Sequence, residues 1–130
     1  MRNIPAARVP CKLLVCAGLV ALLAWGTRLE AHAVLRMSSP ANGSSVTGPN
    51  VPVKLVFNVR VDGARSKLEL LMPDASTVQL PVQPQPSPDT LVSRIVGLDA
   101  GRYALRWQVL ASDGHISTGE IRFTVTKPSA

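Results

Sequence analysis

This 130-residue chain has only two histidines, and where they fall is its first hint of chemistry. His32 follows an apolar run near the start, and His115 closes the polar segment Ala111-Ser112-Asp113-Gly114-His115. If the chain is cut after Ala31, His32 becomes an N-terminal residue with two usable nitrogens. Its α-amine and ring Nδ1 can close a chelate on one ion, and a second imidazole from His115 completes three nitrogens in a T shape. Tetragonal nitrogen and oxygen coordination suits Cu(II), the tightest-binding ion of its series. Asp113 shares the side of His115 if the segment between them is extended. Its carboxylate can then bind the ion or orient the imidazole from behind. Each residue also has a plainer reading, His115 as an ordinary polar loop residue and His32 as part of a cleavage region. An Asp-x-His triplet alone is weak. The combination carries the weight: both histidines of the chain lie at a potential new N-terminus and in one inter-strand loop.

Other chemistries are poorly supplied. Cys11 and Cys16 both lie near the N-terminus, so the remaining chain can build neither an intrachain disulfide nor a cysteine zinc site. Zinc fingers, thiol catalysis and disulfide-stapled folds are thereby excluded, and no Ser/His/Asp or paired-carboxylate arrangement is evident. The formal charge is +6, from 14 Lys and Arg against 8 Asp and Glu. Four of those basic residues, Arg2, Arg8, Lys12 and Arg28, precede residue 32 and are opposed there only by Glu30. The rest is mildly basic without any basic run, which does not support a nucleic-acid footprint. Apolar content of 46% with 17% charged residues is that of a globular domain.

Residues 1–31 have the layout of a secretory signal. Arg2, Arg8 and Lys12 form a positive start, and Leu13 to Trp25 is an apolar run within the signal-peptide range of about 7–15 residues. A membrane-crossing helix needs roughly 20 apolar residues, and no later segment approaches that. Cys16 lacks the small neighbours of a lipid-attachment site. The expectation is a cleaved signal over 1–31 and an exported, periplasmic domain over 32–130.

That domain must hold the two histidines, and its pattern is all-β. Val51, Val53, Leu55, Phe57, Val59 and Val61 alternate strictly, the period of a half-buried strand. Further strands are expected at Val34 to Met37, Leu68 to Met72, Thr77 to Val82 and Leu91 to Val96. The clearest two run Tyr103 to Val109 and Ile121 to Val125. Turns fall at Ser39 to Gly43, at Pro73-Asp74 and at Asp99-Ala100-Gly101, and Pro84-x-Pro86-x-Pro88 reads as a loop or edge. About seven short strands at this spacing predict a seven-stranded Greek-key β-sandwich, immunoglobulin-like or cupredoxin-like. Its core is expected around Phe57, Trp107 and Phe123. No Cys…Trp…Cys framework is present, so an antibody-type domain is excluded.

At both ends the domain resembles a known family. His32-Ala-Val-Leu-Arg-Met-Ser-Ser-Pro-Ala-Asn-Gly-Ser is similar to the mature start of the CopC family of periplasmic copper-binding proteins. Gly101 to His115, with Gly119 and Phe123-Thr-Val125, resembles the family's closing signature more closely still. The resemblance spans essentially residues 32–127. It implies a seven-stranded sandwich binding one Cu(II) per chain through the amine and imidazole of His32, His115 and Asp113. It also implies a role in copper resistance or homeostasis, often beside a CopD-type inner-membrane copper importer, which would be a separate chain; the domain itself is expected to be a monomer.

Three departures qualify the resemblance. Val59 stands where family members often carry an acidic residue, which removes a further outer carboxylate. Met37 and Met72 are the only methionines after residue 31, too few and too separated for a soft Cu(I) site. Ala31-His32-Ala33 fits the small-x-small cleavage rule better by letter than Leu29-Glu30-Ala31, and a cut after Ala33 would discard His32. Proximity to the apolar run and the resemblance favour Ala31. Two other classes of function remain beside the copper-binding reading: an oxygen-activating histidine-brace copper enzyme and a metal-independent immunoglobulin-like interaction module. An enzyme of that kind needs exposed aromatics near the metal. Phe57, Tyr103, Trp107 and Phe123 all lie on apolar faces, so the reading is a binding protein rather than an enzyme.

Overall fold

A computed structural model describes residues 32–129. Eight strands follow in order: β1 (Leu35–Ser39), β2 (Ser44–Thr47), β3 (Val51–Phe57), β4 (Val61–Leu71), β5 (Thr77–Leu80), β6 (Thr90–Ile95), β7 (Gly101–Ala111) and β8 (Ile116–Thr126). They form a three-stranded sheet in the order β1-β3-β6 and a five-stranded sheet in the order β2-β8-β7-β4-β5. All neighbours are antiparallel except β2, which runs parallel to β8. The two sheets face each other as a Greek-key, immunoglobulin-like sandwich.

Alternation drives this arrangement. Along β3, Val51, Val53, Leu55 and Phe57 are buried while Pro52 and Lys54 face water. Tyr103, Leu105, Trp107, Val109 and Ala111 do the same along β7, and Ile121, Phe123 and Val125 along β8. Burying a leucine or phenylalanine side chain fully is worth about 1.5–3 kcal/mol, and Phe57, Leu55, Leu68, Leu70, Leu91 and Leu105 are all in that state. Trp107 packs edge-on against Phe57 with ring centroids 5.1 Å apart. This is possible because its cross-strand partner is Gly119, where an added Cβ would collide with the indole of Trp107. At the far end of β7 the Tyr103 hydroxyl donates to the Asp99 carbonyl at 2.8 Å, a corner tie of the kind sandwiches use. All four expected core aromatics are buried.

Eight strands form rather than the expected seven because a short additional strand, β2, follows the turn after β1. β1 pairs with β3, the chain turns at Pro40 to Gly43, and β2 joins the other sheet beside β8. The alternation from Val51 to Val61 is likewise not one strand. β3 ends at Phe57, residues 58–60 form a corner, and β4 begins at Val61 in the opposite sheet. Phe57 and Val61 are both buried, so the apolar rhythm survives a corner that changes sheets. The Pro-rich stretch is a loop, as its prolines require. Pro88 and Asp89 accept hydrogen bonds from the N–H groups of Val61 and Phe57 and hold the corner in place.

Candidate metal centre

Three pieces of chain meet at one end of the sandwich: the arm 32–34 that precedes β1, the corner 58–60, and the β7–β8 hairpin loop 112–115. The expected inter-strand loop is a tight turn, so the extended geometry that would put Asp113 and His115 on one side by strand periodicity is not adopted. Gly114 takes φ +86°, a conformation that suits glycine, and its N–H donates to the Ala111 carbonyl at 2.9 Å. The turn is closed by the Ala111 N–H donating to the His115 carbonyl, also at 2.9 Å, and Ser112 N–H reaches the Arg60 carbonyl of the corner at 3.0 Å.

Within this turn Asp113 folds onto His115. Its Oδ1 accepts the His115 backbone N–H at 3.0 Å, and its Oδ2 lies 3.0 Å from His115 Nδ1. Asp113 and His115 therefore meet, but through an Asx-type turn rather than through strand periodicity. A neutral imidazole that donates from Nδ1 carries its lone pair on Nε2. The carboxylate thus selects the tautomer and fixes the ring plane, the usual work of an outer partner to a metal-binding histidine.

His32 arrives from the opposite sheet. Ala33 is 5% exposed and belongs to the core, and its N–H donates to Ser117 Oγ at 3.1 Å. Val34 N–H donates to Asn58 Oδ1 at 2.7 Å, and Asn58 N–H returns a bond to the Val34 carbonyl at 3.0 Å. With residues 33 and 34 fixed, the His32 ring stands edge-on to that of His115, centroids 5.7 Å apart and planes inclined by 66°. The three residues singled out from sequence are thus gathered in one place.

The donor set is nitrogen and oxygen. Two imidazole nitrogens bound to one ion at about 2.0–2.1 Å each lie within roughly 4 Å of one another, and rings at the observed separation are compatible with that. Among the described residues no three His, Cys, Asp or Glu side chains are grouped so as to hold an ion by themselves.

Sequence reasoning overlooked Asn58 and Ser117. Asn58 falls at a polar position of an alternating run, and Ser117 at an unremarkable position of β8. Their one visible signal is a small polar residue beside a strand end, which is too common to single out.

Fold and site together define a small Greek-key sandwich with two histidines and a carboxylate converging at one end. The family model for the CopC domain matches residues 35–126, and the chain belongs to the CopC family. Among solved structures it is similar to CopC from Methylosinus trichosporium OB3b, at 31% identity and TM-score 0.70, covering 76% of this chain and 98% of that one. It is also similar to PcoC, a methionine-rich copper resistance protein from Escherichia coli, at 30% identity and TM-score 0.61, covering 74% of this chain and all of that one. No curated protein sequence matches the chain closely enough to count as a relative.

Proposed function

We propose that residues 32–130, released by cleavage after Ala31, form a periplasmic protein of copper resistance or homeostasis that binds one Cu(II) as a monomer. The ligands are the amine and Nδ1 of His32 with Nε2 of His115, and Asp113 orients the second imidazole. The copper is sequestered or handed to a CopD-type inner-membrane importer, a separate chain. The observation that carries the reading is the approach of the two His rings from opposite sheets to 5.7 Å.

Several facts support the details. Ala33 contributes a buried side chain and a backbone N–H to the fold, so a cut after Ala33 would remove part of the domain, whereas a cut after Ala31 leaves it whole. Residues 1–31 lie outside the described residues, and their reading as a signal rests on sequence. Met37 is exposed on β1 and Met72 packs partly into the core. That separation supports a single Cu(II) site over a thioether site for Cu(I). The aromatic side chains after residue 31 are buried, which leaves the histidines without an aromatic substrate platform and favours binding over oxygen-activating catalysis. A metal-independent interaction module gives no reason for the two histidines to converge.

Intact mass of the exported protein, recorded under native conditions with and without Cu(II), tests the proposal. A mass starting at His32 and a gain of one copper are expected. A chain starting at Val34, or one that takes up no copper, overturns it.

A further inference from the structure

The arm carrying His32 is not part of any strand, yet its residues 33 and 34 are tied to the fold by hydrogen bonds. Asn58 engages Val34 on both sides, with its side-chain oxygen accepting the Val34 N–H at 2.7 Å and its own N–H donating to the Val34 carbonyl at 3.0 Å. One residue earlier, Ser117 Oγ accepts the Ala33 N–H at 3.1 Å, and the Ala33 methyl is sunk in the core. The two acceptors come from opposite sheets: Asn58 follows the end of β3, and Ser117 lies near the start of β8, two residues beyond His115. Asn58 is itself placed by the Pro-rich loop, whose Asp89 and Pro88 carbonyls accept from the residues flanking the corner, Phe57 and Val61.

We infer that Asn58 and Ser117 are positioning residues, which set where the His32 nitrogens stand relative to His115 without contacting the metal themselves. The inference rests on the copper-binding reading and deepens it. Affinity for an ion shared between two chain segments depends on how much ordering must occur on binding. Here the ordering of residues 33 and 34 is accomplished beforehand by the fold. Because His32 and His115 hang from opposite sheets, a clamp that draws on both sheets fixes their separation.

The clamp has a consequence that can be read without any metal. In the structure the Ala33 and Val34 amides are hydrogen-bonded, so in the processed protein both should show slowed hydrogen exchange by NMR in the copper-free state. Asn58→Ala should release the Val34 amide, Ser117→Ala the Ala33 amide, and Ser117→Thr should keep the protection because its hydroxyl still accepts. Cu(II) binding should weaken about threefold to tenfold for either alanine variant, the range expected for one lost hydrogen bond. The paramagnetic resonance spectrum of bound copper should not change, since the ligands are the same. Ser93→Ala, which removes a bond to the Pro81 carbonyl on another part of the molecule, should leave affinity at the parent value.

Unprotected Ala33 and Val34 amides in the parent protein would overturn the clamp, whatever copper does. Parent affinity in both alanine variants would overturn its role in positioning. A parent protein with protected amides and no copper binding would remove the metal reading and with it the positioning role, while leaving the docked arm in place.

Discussion

The hairpin that carries His115 and the arm that carries His32 deliver one imidazole each to the same end of the molecule, but they are built differently. β7 and β8 pair without interruption from Gly101↔Val125 to Leu110↔Ile116, and the loop between them is closed by backbone bonds and by Asp113. Among the described residues the arm has no ladder, and hydrogen bonds at Ala33 and Val34 together with one buried alanine tie it down. Stability in proteins is spread unevenly, and segments with few buried contacts open first. One half of the site is therefore a rigid platform and the other a docked strap. Changes to the proposed nitrogen ligands on either half should cost most, while changes to the groups that hold or orient them should alter only how readily the ligands meet.

The largest effect is expected on the platform. His115→Ala removes an imidazole that no other histidine can replace. Titration with Cu(II) should show a loss beyond the about 10–100-fold typical of removing an outer partner. Parent affinity in this variant would break the comparison outright, because the site would not involve the hairpin.

On the strap, the sharpest change leaves every side chain in place. In the processed chain proposed above, one extra alanine ahead of His32 would turn its nitrogen into a peptide amide and so remove the proposed amine–Nδ1 chelate. Binding should weaken by less than in His115→Ala, and the paramagnetic resonance spectrum should change. Thermal stabilisation by copper should shrink too, by about 1.4 kcal/mol for each tenfold loss of affinity at saturating metal. An identical spectrum and affinity in the extended chain would show that the terminus is not a ligand. Asp113→Ala returns to the platform and should cost less again, about 10–100-fold at most, by freeing the His115 ring to rotate. If it cost as much as His115→Ala, Asp113 would be a ligand and not only an orienting group.

These contrasts bear on what the sequence could disclose. Strand content, the buried aromatics and the hairpin loop were legible because period-2 alternation is a local signal. The corner at residues 58–60 was not, since Val61 keeps the apolar rhythm after the chain has crossed to the other sheet. β2 went unnoticed because Ser44-Ser45-Val46-Thr47 carries a single apolar side chain. It is a strand only through its parallel pairing with β8. The approach of Asp113 to His115 was anticipated only on condition of an extended segment, and the Gly114 turn brings them together instead. Asn58 and Ser117 were invisible for a physical reason. Each serves a backbone group far away in the sequence, and neither spacing nor composition records a long-range bond to a main-chain N–H.

The smallest expected effect lies on the outer face of the platform. Glu120, on β8, accepts from Arg122 Nε at 2.8 Å and from Arg106 Nε at 3.2 Å. These bonds, that from Arg122 first, hold its carboxyl below the ordinary glutamate value. A carboxyl depressed in the folded state stabilises the fold at pH above its unfolded value of about 4.3. That contribution is lost as pH falls through the folded value, when the native carboxylate must take up a proton. Glu120→Gln should therefore melt slightly below the parent at pH 7, by an amount kept small because the pairs are exposed and screened. The gap should narrow as the pH is lowered and close once both states of the parent are protonated. Cu(II) affinity at pH 7 should be untouched, because Glu120 faces the outside of the sheet and its side chain is engaged with Arg106 and Arg122. Melting curves of both proteins between pH 7 and pH 2.5 test the sign. A gap that stays constant would mean that the carboxyl is not depressed by its arginines. A simultaneous loss of copper affinity would mean that the hairpin transmits surface changes to His115, and the platform would then be less rigid than its unbroken pairing implies.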